Sequence, residues 1–192
     1  GIAWSLGGAE PTLLQLGANV PAKEKRQFSH VLRLEELGAA PDQLVAWFVW
    51  ADDIGPDGEL RRSASDMFFA EVRPFDEIFR ESQNQESGES EDQQPKGQEA
   101  RKLTEIQKQI ISATWKLQRD GARPGYADDA KVVLDSQQQA RAQAAQAAEE
   151  ARGPRQQAQW AAVQQQMDKA IDALRGAQEK PGPLAQALPA EQ

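Results

Sequence analysis

The sequence has no cysteine and a single histidine, His30, among its 192 residues. That excludes a disulfide framework, a thiolate metal site and a thiol nucleophile, and one imidazole does not build a His-rich zinc or iron centre. Long apolar runs are missing as well. No window reaches the roughly 18–20 consecutive apolar residues of a membrane-spanning helix, and no basic, apolar, small-residue order opens the chain as a signal peptide would. Basic charge is scarce, with 22 Lys and Arg against 30 Asp and Glu and a net charge of -8. Such a balance opposes nonspecific adhesion to nucleic acid or anionic lipid, both of which need clustered cations. Neither G-x-x-x-x-G-K-[ST] nor G-x-G-x-x-G occurs, so nucleotide binding by those loops is excluded. No cofactor is expected.

What is present divides by charge. Residues 1–80 carry 8 basic and 13 acidic side chains, residues 81–100 one and six, and the remainder 13 and 11. The aromatic runs lie in the first zone, where short β-prone segments alternate with Gly and Pro as in a strand meander. These segments are Ile2–Leu6, Thr12–Leu16, Phe28–Leu34, Leu44–Ala51 and Arg61–Val72. The run LVAWFVWA at Leu44–Ala51 is β-branched and aromatic throughout, which suits a strand in mid-sheet. DDIGPDG at 52–58 then predicts a hairpin turn, with Pro56 setting φ and Gly58 free to take a positive φ. About five strands without helical crossovers predict an antiparallel immunoglobulin-like β-sandwich. Seven strands are usual, so the expectation is a domain at 1–80 that lacks its N-terminal strands, in a chain that is a fragment of something longer. A complete small barrel or sheet is the competing arrangement.

Residues 81–99 contain no large apolar side chain, which predicts a disordered acidic linker. From Ala100 the period becomes helical. Leu103, Ile106, Ile110 and Leu117, widened by Ile111 and Trp115, form one stripe, and Gly121, Pro124 and Gly125 end it. A second helix is expected near Ala127, with Asp128 and Asp129 in its first turn, where the helix dipole favours acids. Between Ser136 and Gln166, 21 of 31 residues are Ala or Gln, which points to close helix pairing through alanine. A further helix is expected from Pro154, with Trp160, Val163, Met167, Ala170 and Leu174 as an a/d seam. Residues 100–176 therefore read as a helical hairpin or coiled coil, and 177–192, with Pro181, Pro183 and Pro189, as a disordered tail.

Candidate chemistry is thin. Asp52, Asp53, Asp57 and Glu59 are the best grouping for calcium, but their spacing is not that of an EF-hand, and hairpin turns collect Asp for backbone reasons. His30 has no Ser, His, Asp arrangement around it and reads as an ordinary strand residue. The acid pairs Glu35 and Glu36, or Asp76 and Glu77, read as solvated groups rather than a glycosidase dyad. No catalytic or metal residue is assigned. Contact residues are assigned instead: Trp47 and Trp50, on opposite faces of one strand; Phe75 and Phe79 in RPFDEIFR; and Ile110, Trp160, Met167 and Leu174 on the helical stripes.

The segments LVAWFVWADDIGPDGELRRS (44–63) and SDMFFAEVRPFDEIFRE (65–81) resemble part of large uncharacterised bacterial cell-envelope proteins. In those, a membrane-spanning region precedes an immunoglobulin-like domain and a very long Gln-, Ala- and Glu-rich helical region. The resemblance covers residues 28–81, and beyond them composition only. It implies a membrane-anchored parent with this part on the non-cytoplasmic side, and it brings no catalytic residues. The expected function is non-enzymatic: a structural or protein-interaction segment, with self-association or a protein partner engaged through the helices. The alternative is a glycan- or peptide-binding accessory module of a longer envelope enzyme, using Trp47 or Trp50.

Overall fold

The computed structural model describes residues 1–18, 21, 24–73, 95–151 and 153–192, with backbone alone for 95–99. The protein is α+β and divides into two compact units, Gly1–Arg80 and Glu81–Gln192.

Among the described residues, the first unit forms an open antiparallel sheet of five strands: β1 (Ile2–Leu6), β2 (Thr12–Leu14), β3 (Leu44–Ile54), β4 (Leu60–Ala64) and β5 (Phe68–Glu71). The apolar run expected in mid-sheet is there. β3 is flanked by β1 on one edge and by β5 and then β4 along the other, and β2 lies outside β1. The hairpin also forms as the turn residues dictate. Gly58 N–H donates to Gly55 O at 2.9 Å, Gly55 N–H donates to Glu59 O at 2.8 Å, and Gly58 takes φ +80°. That is a three-residue loop in which a type I turn is followed by a left-handed glycine.

Two strand assignments change. The returning segment Arg61–Val72 is not one strand. Trp50 pairs with Ala64, whereas Trp47 pairs with Phe68, so three residues on the return face two on β3. The extra residue is a β-bulge at 65–67, where Ser65 donates its backbone N–H to Val49 O and accepts Val49 N–H on its hydroxyl. Phe28–Leu34 is no strand at all. It runs irregularly into a helical turn closed at Gly38, φ +65°, with Ala39 N–H donating to Leu34 O and Gly38 N–H to Glu35 O. This Schellman closure suits Glu35-Glu36-Leu37-Gly better than an extended ladder does.

Among the described residues, the second unit holds four helices: α1 (Pro95–Asp120), α2 (Tyr126–Glu149), α3 (Pro154–Ala177) and α4 (Leu184–Glu191). α1 packs on α2 and α4, and α3 packs on the same two helices. Pro95–Glu99, expected in the linker, are the first turn of α1, where proline lacks only a donor that would be unpaired anyway. The rest of that linker, 81–94, lies outside the described residues, as do Phe75 and Phe79. The predicted tail is likewise corrected, because Leu184–Glu191 is helical. Pro181 and Pro183 precede this helix, and Pro189 inside it removes one hydrogen bond. Complete burial of Leu184 and Ala187, with Leu188 close behind, offsets that loss.

α2 begins after Gly125, φ +87°, with Asp128 and Asp129 in its first turn. Its alanines do what their spacing suggests: Ala130, Ala140 and Ala144 are fully buried in a core with Leu103, Ile110, Leu117, Val133, Met167, Ile171 and Leu174. On α3 the buried positions are Met167, Ala170, Ile171, Leu174 and Ala177. That is a 3.6-residue period rather than a strict a/d seam, and Val163, a seam position, is 39% exposed.

Candidate functional site

Strand register assembles an aromatic row on one face of the sheet. Trp4 of β1 is the direct partner of Trp47 on β3, and Trp47 is the direct partner of Phe68 on β5. Directly paired residues project to the same side, so three rings from three adjacent strands stand in one line. Trp47 stacks on Phe68 with centroids 4.6 Å apart and planes at 22°. His30 stacks on Trp4 at 5.7 Å and 28°. It therefore serves as an aromatic neighbour of the row, not as a strand residue. Phe68 and Val49, which share this face with Trp47, remain 46% and 45% exposed. Trp4 and Trp47 are half-buried.

The opposite face carries Ala3, Ser5, Ala46 and Phe48, all buried. Trp50 is on this side, as alternation along β3 requires. The Arg62 guanidinium lies 4.1 Å above its ring while donating two hydrogen bonds, 2.7 and 2.8 Å, to the Asp52 carboxylate. That fork holds the Asp52 carboxyl below the usual carboxylate range and raises Arg62 further.

The acidic turn does not gather into a cation cage. Asp52 is engaged by Arg62, and Asp57 accepts from Arg61 at 2.5 Å and from Glu59 N–H at 3.2 Å. Asp53 alternates to the other face of β3 from Asp52. Among the described residues, no three His, Asp or Glu side chains come together as a metal site. Glu35 and Glu36 are exposed, with Arg33 at 3.5 Å from Glu36. Asp76 and Glu77 lie outside the described residues.

The helical contact residues pair within the chain, one of the two arrangements their stripes allow. Ile110 and Met167 are buried, and Leu174 is completely so, within this one chain; Trp160 is half-buried against the same core. Their stripes are satisfied by one another, which leaves no open seam along those positions. Polar ties reinforce the pairing. Gln107 and Gln137 exchange amide hydrogen bonds at 3.0 and 3.4 Å, Arg141 forks onto Asp168, and the Tyr126 hydroxyl donates to Ala177 O at 2.7 Å. Burial pushes the Tyr126 phenol up.

Sequence reading missed two features. The aromatic row needs Trp4 beside Trp47, a pairing across 43 residues of chain that no local pattern reveals. The buried polar pair of Thr114 and Glu191 was missed too, with Thr114 donating to Glu191 Oε1 at 2.9 Å. The signal was present in spacing: Glu191 follows Ala187 and Leu188 by one turn, and Thr114 falls between Ile110 and Leu117 on the buried stripe. An open groove of about 680 Å³ runs between α3 and α4, with Lys169, Asp172, Pro183 and Pro189 in its walls.

No protein-family model matches the chain, and no curated protein or solved structure matches it significantly.

Proposed function

We propose that this chain is a non-enzymatic protein-interaction segment of a larger bacterial envelope protein, and that its β unit makes the contact. The observation that carries this reading is an asymmetry between the two units. The helical unit buries its apolar stripes within itself, whereas the sheet leaves Val49 and Phe68 open beside Trp47 and Trp4 on one face. Exposed apolar side chains that are contiguous and rimmed by polar groups mark contact surfaces, while scattered ones do not. On this reading the sheet is one layer of an immunoglobulin-like sandwich in the parent, and the helices are a structural arm. The resemblance to membrane-anchored envelope proteins supports placement on the non-cytoplasmic side.

A glycan platform is the weaker reading. Sugars stack on open ring faces, yet Trp47 already has Phe68 against its ring and Trp50 has Arg62 over its own. Protein side chains can instead pack against ring edges and the neighbouring valine.

Two experiments test the proposal in the parent protein. A photocrosslinking residue at Val49 should form a discrete protein adduct in cells, and one at Val132, 64% exposed on α2, should not. The reverse pattern would place the contact on the helical arm. Because the chain has no cysteine, Val132→Cys adds a thiol to it for a membrane-impermeant maleimide, with the unsubstituted parent giving the background. Labelling of intact spheroplasts is the expected result, and labelling only after lysis would remove the non-cytoplasmic placement.

A further inference from the structure

α4 is short, contains a proline and is seated on α1 and α3 by Leu184, Ala187 and Leu188. Its last turn adds a carboxyl group to that contact. Glu191 is 4% exposed, Thr114 on α1 is fully buried, and the Thr114 hydroxyl is the donor that reaches Glu191 Oε1. The other oxygen, Oε2, has no hydrogen-bond partner. Gln118 Oε1, one turn along α1 from Thr114, is a second buried acceptor without a partner. A buried carboxylate with one donor for its two oxygens is under-satisfied, and a proton on Glu191 removes the charge that burial penalises.

We propose that α4 is a proton-operated latch, seated on α1 when Glu191 is neutral and released when that carboxyl ionises.

Beyond the Thr114 hydroxyl, the charged side chains nearby do not favour the ionised form. On α1, the residues one turn either side of Thr114 are Ile110, Ile111, Leu117 and Gln118, none of them charged. α4 carries no other ionisable side chain. α3 presents Lys169 and Asp172 to the groove beside Pro189 and Ala190, one charge of each sign. Neither contributes to the Glu191 equilibrium, which burial raises to about 7 against a weaker lowering by the Thr114 bond. On a released α4 the carboxyl returns to its ordinary value of 4.5. The seated state therefore binds the proton more tightly. Seating is strongest in acid, weakens as pH rises from about 4.5, and levels off above about 7.

Amide hydrogen exchange on the whole chain tests this, with α2 amides as the internal reference. After correction for intrinsic exchange, protection at Ala187 and Leu188 should fall roughly 70-fold between pH 5 and pH 8, with α2 unchanged. Glu191→Gln, which keeps a neutral donor there, should hold protection constant with pH. Thr114→Val, which removes the hydroxyl donor, should move the midpoint upward. A carbon-13 titration of the Glu191 carboxyl provides a direct check, with a midpoint near 7 expected. Titration in the ordinary carboxylate range, or the same pH-dependent loss in Glu191→Gln, overturns the latch.

Discussion

Leu174→Ala distinguishes a core inside one chain from a seam between two. Leu174 is fully buried on α3, amid a cluster that includes Ile110, Met167 and Ile171. Removing three side-chain carbons forfeits about 2.4 kcal/mol of transfer free energy at ~0.8 kcal/mol per carbon. A partly relaxed cavity adds about 1 kcal/mol, for a total of about 3–4 kcal/mol. For a helical unit of this size, such a loss corresponds to a fall in Tm on the order of 12–30 °C. The assay is thermal unfolding followed by circular dichroism at 222 nm, at two protein concentrations tenfold apart. Both wild type and variant should give the same Tm at either concentration, because the contacts broken on unfolding lie within one chain. Val132→Ala, at an exposed position on α2, is the control and should change stability by no more than about 0.5 kcal/mol. A Tm that rises with concentration, or a Leu174→Ala variant as mild as the control, would refute the intrachain core.

Two further substitutions probe single interactions. Gly58→Ala should cost the β unit about 1 kcal/mol through backbone strain alone, since Gly58 has φ +80° and open space where a Cβ would stand; urea unfolding read by near-ultraviolet circular dichroism checks it, and a neutral result would mean the turn has another conformation in solution. Gln137→Leu should cost about 1 kcal/mol by leaving the Gln107 amide without its partner, and adding Gln107→Leu should recover most of that loss; strictly additive costs in denaturant titration would show that the two amides do not interact.

Where local chemistry decides an element, it was legible. β3 follows from its unbroken run of branched and aromatic residues, the hairpin from Gly-Pro-Asp-Gly, and the starts of α2 and α3 from Asp128, Asp129 and Pro154. α4 was not, because three prolines suggested disorder while only tertiary burial of Leu184, Ala187 and Leu188 shows why the helix holds. Phe28–Leu34 has strand-like composition, but the turn closed by Gly38 and the ring contact between His30 and Trp4 take this segment elsewhere. The alternation of Trp47 and Trp50 was correctly anticipated from period two. The row in which Trp47 stands was not, since register between distant strands is a property of the assembled sheet. The helical contact residues were recognised as apolar stripes, and their spacing could not say whether their partners lay in the same chain.

The bulge at 65–67 separates the hairpin tip from the aromatic row in a way that bears on how this surface can diversify. Below the bulge, even-numbered residues of the return share a face with Trp50; above it, odd-numbered residues do. Were the same residues to continue from Ala64 as a regular ladder, Met67 would fall opposite Trp47, and Phe68 would turn to the other side of the sheet and leave the line with Trp47 and Trp4. Insertions or deletions within 55–59, beyond the last rungs of β4, leave that parity untouched. The tip is thus free to change in length and charge over time, while the row keeps its alignment because the bulge absorbs the one extra residue of the return.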